Sequence, residues 1–159
     1  MKRKMLILTG FCSVLAMFSC SSTQNAAERQ QKIAQKIESK DYTISVNTAY
    51  PMRGKAYHLS SGYDLKIKND SAIAYLPYYG VAHTAPINPS EGGIKFSEPM
   101  KDYKITPNKK QDGWEISFKI DKGIEHYDVR LSIFKNASTS ISVSSYNRDP
   151  ISFRGEIIE

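Results

Sequence analysis

Thiols are scarce in this 159-residue chain: its two cysteines, Cys12 and Cys20, both fall within the first twenty residues. A domain built from the remainder has no disulfide, no cysteine–zinc site and no cysteine nucleophile, so its stability must come from its core. Histidine is nearly as sparse. His58, His83 and His126 are too widely spaced for a local metal motif such as a helical i, i+4 pair, and no cofactor or metal is expected. Nothing resembles a Gly-x-Ser-x-Gly nucleophile elbow, which argues against a hydrolase. Charge of one sign is in short supply once the amino terminus is set aside. The chain has 22 Lys and Arg against 16 Asp and Glu, and Lys2, Arg3 and Lys4 account for three of the basic residues, leaving 19. So mixed a surface, without a clustered basic face, excludes a nucleic-acid partner.

Long apolar runs are absent too, with one exception. Met1-Lys2-Arg3-Lys4 is followed by the run from Met5 to Phe18 and then by Ser19-Cys20-Ser21-Ser22. The run falls short of the ~20 residues that span a bilayer, and the charged start and small residue before Cys20 have the layout of a secretory signal. Met17-Phe18-Ser19-Cys20 resembles the bacterial lipobox, which implies cleavage before Cys20 and acylation of its sulfur. Residues 1–19 are thus expected to be a lipoprotein signal peptide and 20–25 a polar tether, with the membrane as a partner through the lipid anchor.

The rest, residues 26–159, is expected to be a single domain. Residues 26–40 are rich in Ala, Glu, Gln, Lys and Arg without Gly or Pro, and Ala26, Ile33 and Ile37 recur near helical spacing, predicting a short helix. From Asp41 the period drops to two. Tyr42, Ile44 and Val46 alternate with polar residues, as do Trp114, Ile116, Phe118 and Ile120, then Tyr127, Val129, Leu131 and Ile133. Turn residues separate these runs, for example Lys68-Asn69-Asp70-Ser71, Asp121-Lys122-Gly123 and Asn147-Arg148-Asp149-Pro150. Connections this short exclude parallel crossovers. The expected fold is all-β, an antiparallel meander of about 8–10 strands that hides its edges by closing into a barrel-like domain or a two-sheet sandwich. Trp114 is expected on the best-patterned core face.

One connection is long. Tyr79 to Gly92 follows the Tyr-rich stretch Tyr75-Leu76-Pro77-Tyr78-Tyr79-Gly80 and carries His83, Pro86 and Pro89. Long loops on a rigid scaffold tend to carry binding groups, so Tyr78, Tyr79 and His83 are the candidate ligand-binding residues. The competing reading is a plug over one end of the barrel, with Tyr78 and Val81 completing the core. His126 and Asp128 share a strand face with Arg130, which reads as a solvated surface.

Five segments together carry a family resemblance: Tyr50-Pro51-Met52-Arg53-Gly54, Tyr75 to Gly80, Gly92-Gly93-Ile94-Lys95-Phe96, Asp102-Tyr103 and Ile151-Ser152-Phe153-Arg154-Gly155. From about Ile37 to Ile157 the chain resembles the DUF4251 lipoproteins of Bacteroidota, a domain of unknown function. The resemblance implies an envelope setting and supplies no catalytic residue. In such bacteria surface display goes with acidic residues just after the acylated cysteine. Ser21 to Ala27 has none, which implies an outer-membrane lipoprotein facing the periplasm. Asp70-Ser71-Ala72 resembles their O-glycosylation acceptor pattern, making Ser71 a candidate acceptor. The function expected on these grounds is a non-enzymatic binding module for a small ligand, a glycan or a protein partner. The alternatives are an envelope hydrolase with a site near residues 75–93 and a structural or assembly lipoprotein.

Overall fold

Alternation of apolar and polar residues is converted into strands almost wherever the sequence offers it. In a computed structural model, which describes residues 21–83 and 92–158, helix α1 (Ser21–Glu38) is followed by ten strands. They are β1 (Asp41–Pro51), β2 (Tyr57–His58), β3 (Asp64–Lys68), β4 (Ser71–Leu76), β5 (Ile94–Pro99), β6 (Lys101–Pro107), β7 (Gly113–Lys122), β8 (Glu125–Phe134), β9 (Ser138–Ser145) and β10 (Arg148–Ile158). The signal peptide and Cys20 lie outside the described residues, as do Pro86 and Pro89.

All pairings are antiparallel, in the order β5-β4-β3-β1-β10-β9-β8-β7-β6, with the short β2 beside β1. The two ends of that order, β5 and β6, are successive pieces of one run of chain broken only at Met100. Before the break the run pairs with β4, and after it with β7. The ring therefore nearly closes on itself, giving a barrel and not a sandwich. Lys122 Nζ donates to the Lys95 carbonyl across the seam at 2.9 Å, and the Phe96 ring packs 5.6 Å from that of Tyr127. Asp102 takes φ 53° just beyond the break, where the β6–β7 register also shifts.

Inward residues of every strand but β2 and β6 fill the interior. Ile44, Leu65, Ile120, Leu131, Ile141 and Phe153 are fully inaccessible, and each such side chain contributes about 1.5–3 kcal/mol relative to exposure. Trp114 corrects the expectation placed on it. It has the right parity but is the second residue of β7, at the mouth of the barrel, and is half-buried against the core. Elsewhere in the core, burial pushes the Tyr42 phenol up, with a smaller contribution from neighbouring Tyr103. Neither buried hydroxyl makes a hydrogen bond of ordinary geometry, though the two lie close enough to interact.

The helix begins five residues earlier than its composition suggests, so that residues 21–25, read as tether, are helical. It docks through Ile33 and Ile37, 4% and 1% exposed. Lys40 stops it in the left-handed region at φ 50°, a conformation usually left to Gly, while its ammonium pairs with Asp70 at 2.8 Å. β10 runs from Arg148 at one end of the barrel to Ile158 at the other, where Lys36 Nζ donates to the Ile158 carbonyl at 3.0 Å. The helix and residues 81–83 thus lie at opposite ends.

Candidate functional site

The first residues of the long connection, 81–83, fold back on the start of β10. Ala82 bridges to Arg148, the Asp149 N–H donates to the Val81 carbonyl, and the His83 N–H donates to the Asn147 carbonyl. Tyr78 is half-buried, and its hydroxyl lies 2.9 Å from the Val81 carbonyl and 3.0 Å from that of Asp149. With one proton it donates to one of them at a time. Burial, followed by the Asp149 charge, pushes its phenol up. Beneath it lies Arg148, 9% exposed. The guanidinium sits 5.4 Å from the Tyr78 ring, donates to the Gly93 carbonyl at 3.0 Å and pairs with Glu125 at 2.6 Å, while the Tyr127 hydroxyl donates to the other Glu125 oxygen at 2.9 Å. Space here is about 10 Å³, room for one water at most.

Of the three candidates, Tyr78 and His83 therefore meet at Asp149, His83 Nε2 lying 3.2 Å from its carboxylate. Tyr79 turns elsewhere and stacks on Tyr57 with centroids 4.4 Å apart. The geometry of Tyr78 is that of a plug, but Val81 is 53% exposed and completes no core. Ser71 is half-buried where β4 leaves its turn, with Asp70 engaged by Lys40. His126 pairs with Asp121 at 2.6 Å, not with Asp128, because the β7–β8 register sets Asp121 opposite it. Lys101 holds the same carboxylate at 2.7 Å, and it together with His126 lowers the Asp121 carboxyl to about 2. Among the described residues no group of three or more His, Cys, Asp or Glu is gathered as a metal site.

The larger polar concavity is on the outer wall. In β9 the outward half is hydroxyl, Ser138, Ser140, Ser142 and Ser144, while the buried positions are Thr139, Ile141 and Val143. Register extends this across the sheet. One row runs Glu115, Ser132, Ser140, Arg154, and the next runs Ser117, Arg130, Ser142, Ser152, Tyr50. Where the first row reaches β1 the pairing slips, Val46 opposite Gly155 and Thr48 opposite Arg154, so that Asn47 is the extra, outward residue of a bulge. Gly155 is needed there. A Cβ on it would lie 2.1 Å from the Ser45 carbonyl oxygen.

Short side chains and the bulge leave a trough of about 550 Å³ bordered by Asn47, Phe134, Arg154 and Glu156, with Ser132, Ser138 and Ser140 along it. The Arg154 guanidinium lies 5.4 Å from the Tyr50 ring, and the Ser132 hydroxyl donates to Glu115 at 2.8 Å. The trough thus offers hydroxyls, an amide, one cation and one carboxylate beside aromatic edges. Sequence reasoning missed it. The spacing of the β9 serines was visible, but their partners on β8 and β10 are assigned only by register.

A family profile described as a domain of unknown function (DUF4251) matches residues 24–157. The chain belongs to the DUF4251 family. The resemblance carried by the five sequence segments is borne out over nearly the same span. Among solved structures, the crystal structure of a DUF4251 family protein from Bacteroides eggerthii is similar to this one, with 12% identity and a TM-score of 0.63, over 83% of this chain and 88% of that one. At such identity the likeness establishes the fold, and the near-closed antiparallel barrel is a DUF4251 architecture. No curated protein matches the chain.

Proposed function

We propose that this DUF4251 chain is a non-enzymatic binding module of the cell envelope, tethered by an acylated Cys20 and facing the periplasm, whose outer wall holds a glycan. The trough across β8, β9, β10 and β1 carries the reading. Its volume of about 550 Å³ is in the range of small-ligand sites, about 300–1,000 Å³. Its composition separates a glycan from a protein partner. Protein interfaces concentrate aromatics, Met and Arg and are poor in Ser, whereas Ser132, Ser138 and Ser140 dominate here.

Serine hydroxyls suit a polyhydroxylated ligand. They donate and accept, and they lose little rotamer freedom on being ordered. Arg154 and Glu156 supply charge-assisted hydrogen bonds, and Phe134 and Tyr50 supply apolar edges for the C–H faces of sugar rings. A strand wall also has no folding reason to be serine-rich, since β-branched and aromatic residues suit strands better, and a local rule broken without structural gain is a mark of function.

The test is recovery of the protein from its native envelope, with analysis of the co-purifying carbohydrate. Wild type is expected to retain a glycan that Arg154→Ala and Glu156→Ala lose at unchanged melting temperature. Equal recovery with all three proteins would remove the trough from consideration. A ligand held near Tyr78, Tyr79 and His83 is the second reading, favoured by the Tyr57–Tyr79 stack whose Tyr57 is exposed, and Tyr79→Ala is its counterpart test.

A further inference from the structure

Helix α1 leaves the barrel along its amino-terminal half, where residues 27–32 are exposed. Between it, the β8–β9 turn and the end of β10 lies a groove of about 500 Å³. The floor is apolar, made by Ile33, Ala137, Ile157 and Ile158, the last 44% exposed. The rim is cationic, made by Arg29, Lys32 and Lys36, which their spacing of three and four sets on one helix face. Among the described residues no carboxylate lines it.

We propose that this groove docks the helix on a membrane surface by taking an anionic phospholipid, with the phosphate among Arg29, Lys32 and Lys36 and the upper acyl chain on Ile33 and Ile158. A soluble anion would leave the apolar floor wet, and an apolar ligand would leave the cations unused. An amphiphile with an anionic head uses both. Face-to-face docking of a second copy would bring two cationic rims together. Position agrees with charge: Ser21, the first helical residue, directly follows Cys20, so Arg29 stands about 13 Å along the helix axis from the expected anchor. A basic, amphipathic helix beside an anchor is a known way of lying on an anionic surface. The inference is separate from the glycan reading, because the groove and the trough share no residue.

The test removes the anchor. The chain from residue 20 with Cys20→Ser is sedimented with vesicles of phosphatidylcholine, alone or mixed with phosphatidylglycerol, at low salt. Binding is expected on the mixed vesicles and not on the neutral ones, and to survive added inorganic phosphate. Arg29→Gln with Lys32→Gln and Lys36→Gln should lower the partition at least about tenfold. Arg53→Gln, an exposed cation at the far end of the barrel, should not. Ile158→Asn should weaken binding with an unchanged circular dichroism spectrum. Equal partition on both vesicle types, or full binding by the triple variant, would overturn the proposal. So would an Ile158→Asn variant that binds like wild type, since charge alone would then suffice. A concentration-dependent dimer abolished by Ile158→Asn, without vesicle binding, would assign the groove to a second copy.

Discussion

Glu125→Ala should be among the most damaging single changes that leave the apolar core intact. It strands Arg148, whose guanidinium is 9% exposed and whose pairing with Glu125 at 2.6 Å is supported by one backbone carbonyl, that of Gly93. Breaking a buried pair by removing one partner costs about 3–5 kcal/mol. The Glu125 side chain is 25% exposed, so water can enter the space it vacates, which brings the expectation down to ~2–3 kcal/mol. For a domain of this size that is a fall in Tm of roughly 5–10 °C. Arg148→Met should cost less, about 1–2 kcal/mol, because the carboxylate it leaves behind can be hydrated. The double variant should then lie well short of the sum, with a coupling of about 1.5 kcal/mol or more. Urea titration followed by circular dichroism gives all three values, provided the slope of the transition stays constant. Limited proteolysis near Gly93 should accelerate in step, since Arg148 ties the Gly93 carbonyl to Glu125 of β8. A Glu125→Ala cost below about 0.5 kcal/mol with additive behaviour would mean that Arg148 does not depend on Glu125.

Tyr78→Phe should cost about 1 kcal/mol for the hydroxyl shared between the Val81 and Asp149 carbonyls, measured by the same titration, and should leave glycan recovery untouched. Gly155→Ala should fail to fold or lose more than about 3 kcal/mol, because its Cβ would meet the Ser45 carbonyl at 2.1 Å and overpacking already costs about 1–3 kcal/mol where neighbours can yield. Thermal melts check this. Asp121 predicts an acid limb. Its folded pKa of about 2 lies below its ordinary 3.8, so the stability it contributes is present above about pH 4 and lost as pH falls towards 2. Asp121→Asn should flatten a stability–pH profile over that window, and an unaltered profile would contradict the Lys101–Asp121–His126 cluster.

Strands were legible because burial on one face imposes a period of two that no turn residue obscures. The start of β10 was not. Asn147-Arg148-Asp149-Pro150 has the composition of a turn, yet the strand begins at Arg148, and Pro150 is tolerated because it falls where the β9–β10 register shifts. Ser21 to Asn25 read as tether because Ser, Thr and Asn are weak helix formers, and α1 begins there all the same. Barrel closure was open in the sequence because it depends on whether the run through Met100 changes partner from β4 to β7, a property of bend and register. For Trp114, alternation gave the face but not the depth. Arg148 looked like an ordinary turn cation. Its burial follows from the approach of distant residues, Tyr78, Ala82 and Gly93, which local pattern does not encode. The trough was hidden for a related reason: serine alternation in β9 is visible, but Ser132, Arg154 and Asn47 join it through pairing and a bulge.

Backbone amide NMR during titration with the carbohydrate released from the native envelope reads the trough and the Tyr78–His83 region in one experiment. With a glycan in the trough, shifts cluster at Asn47, Ser132, Ser140, Arg154 and Glu156 and vanish with Arg154→Ala. Shifts confined to Tyr78, Tyr79 and His83, or none at saturating glycan, would contradict that placement.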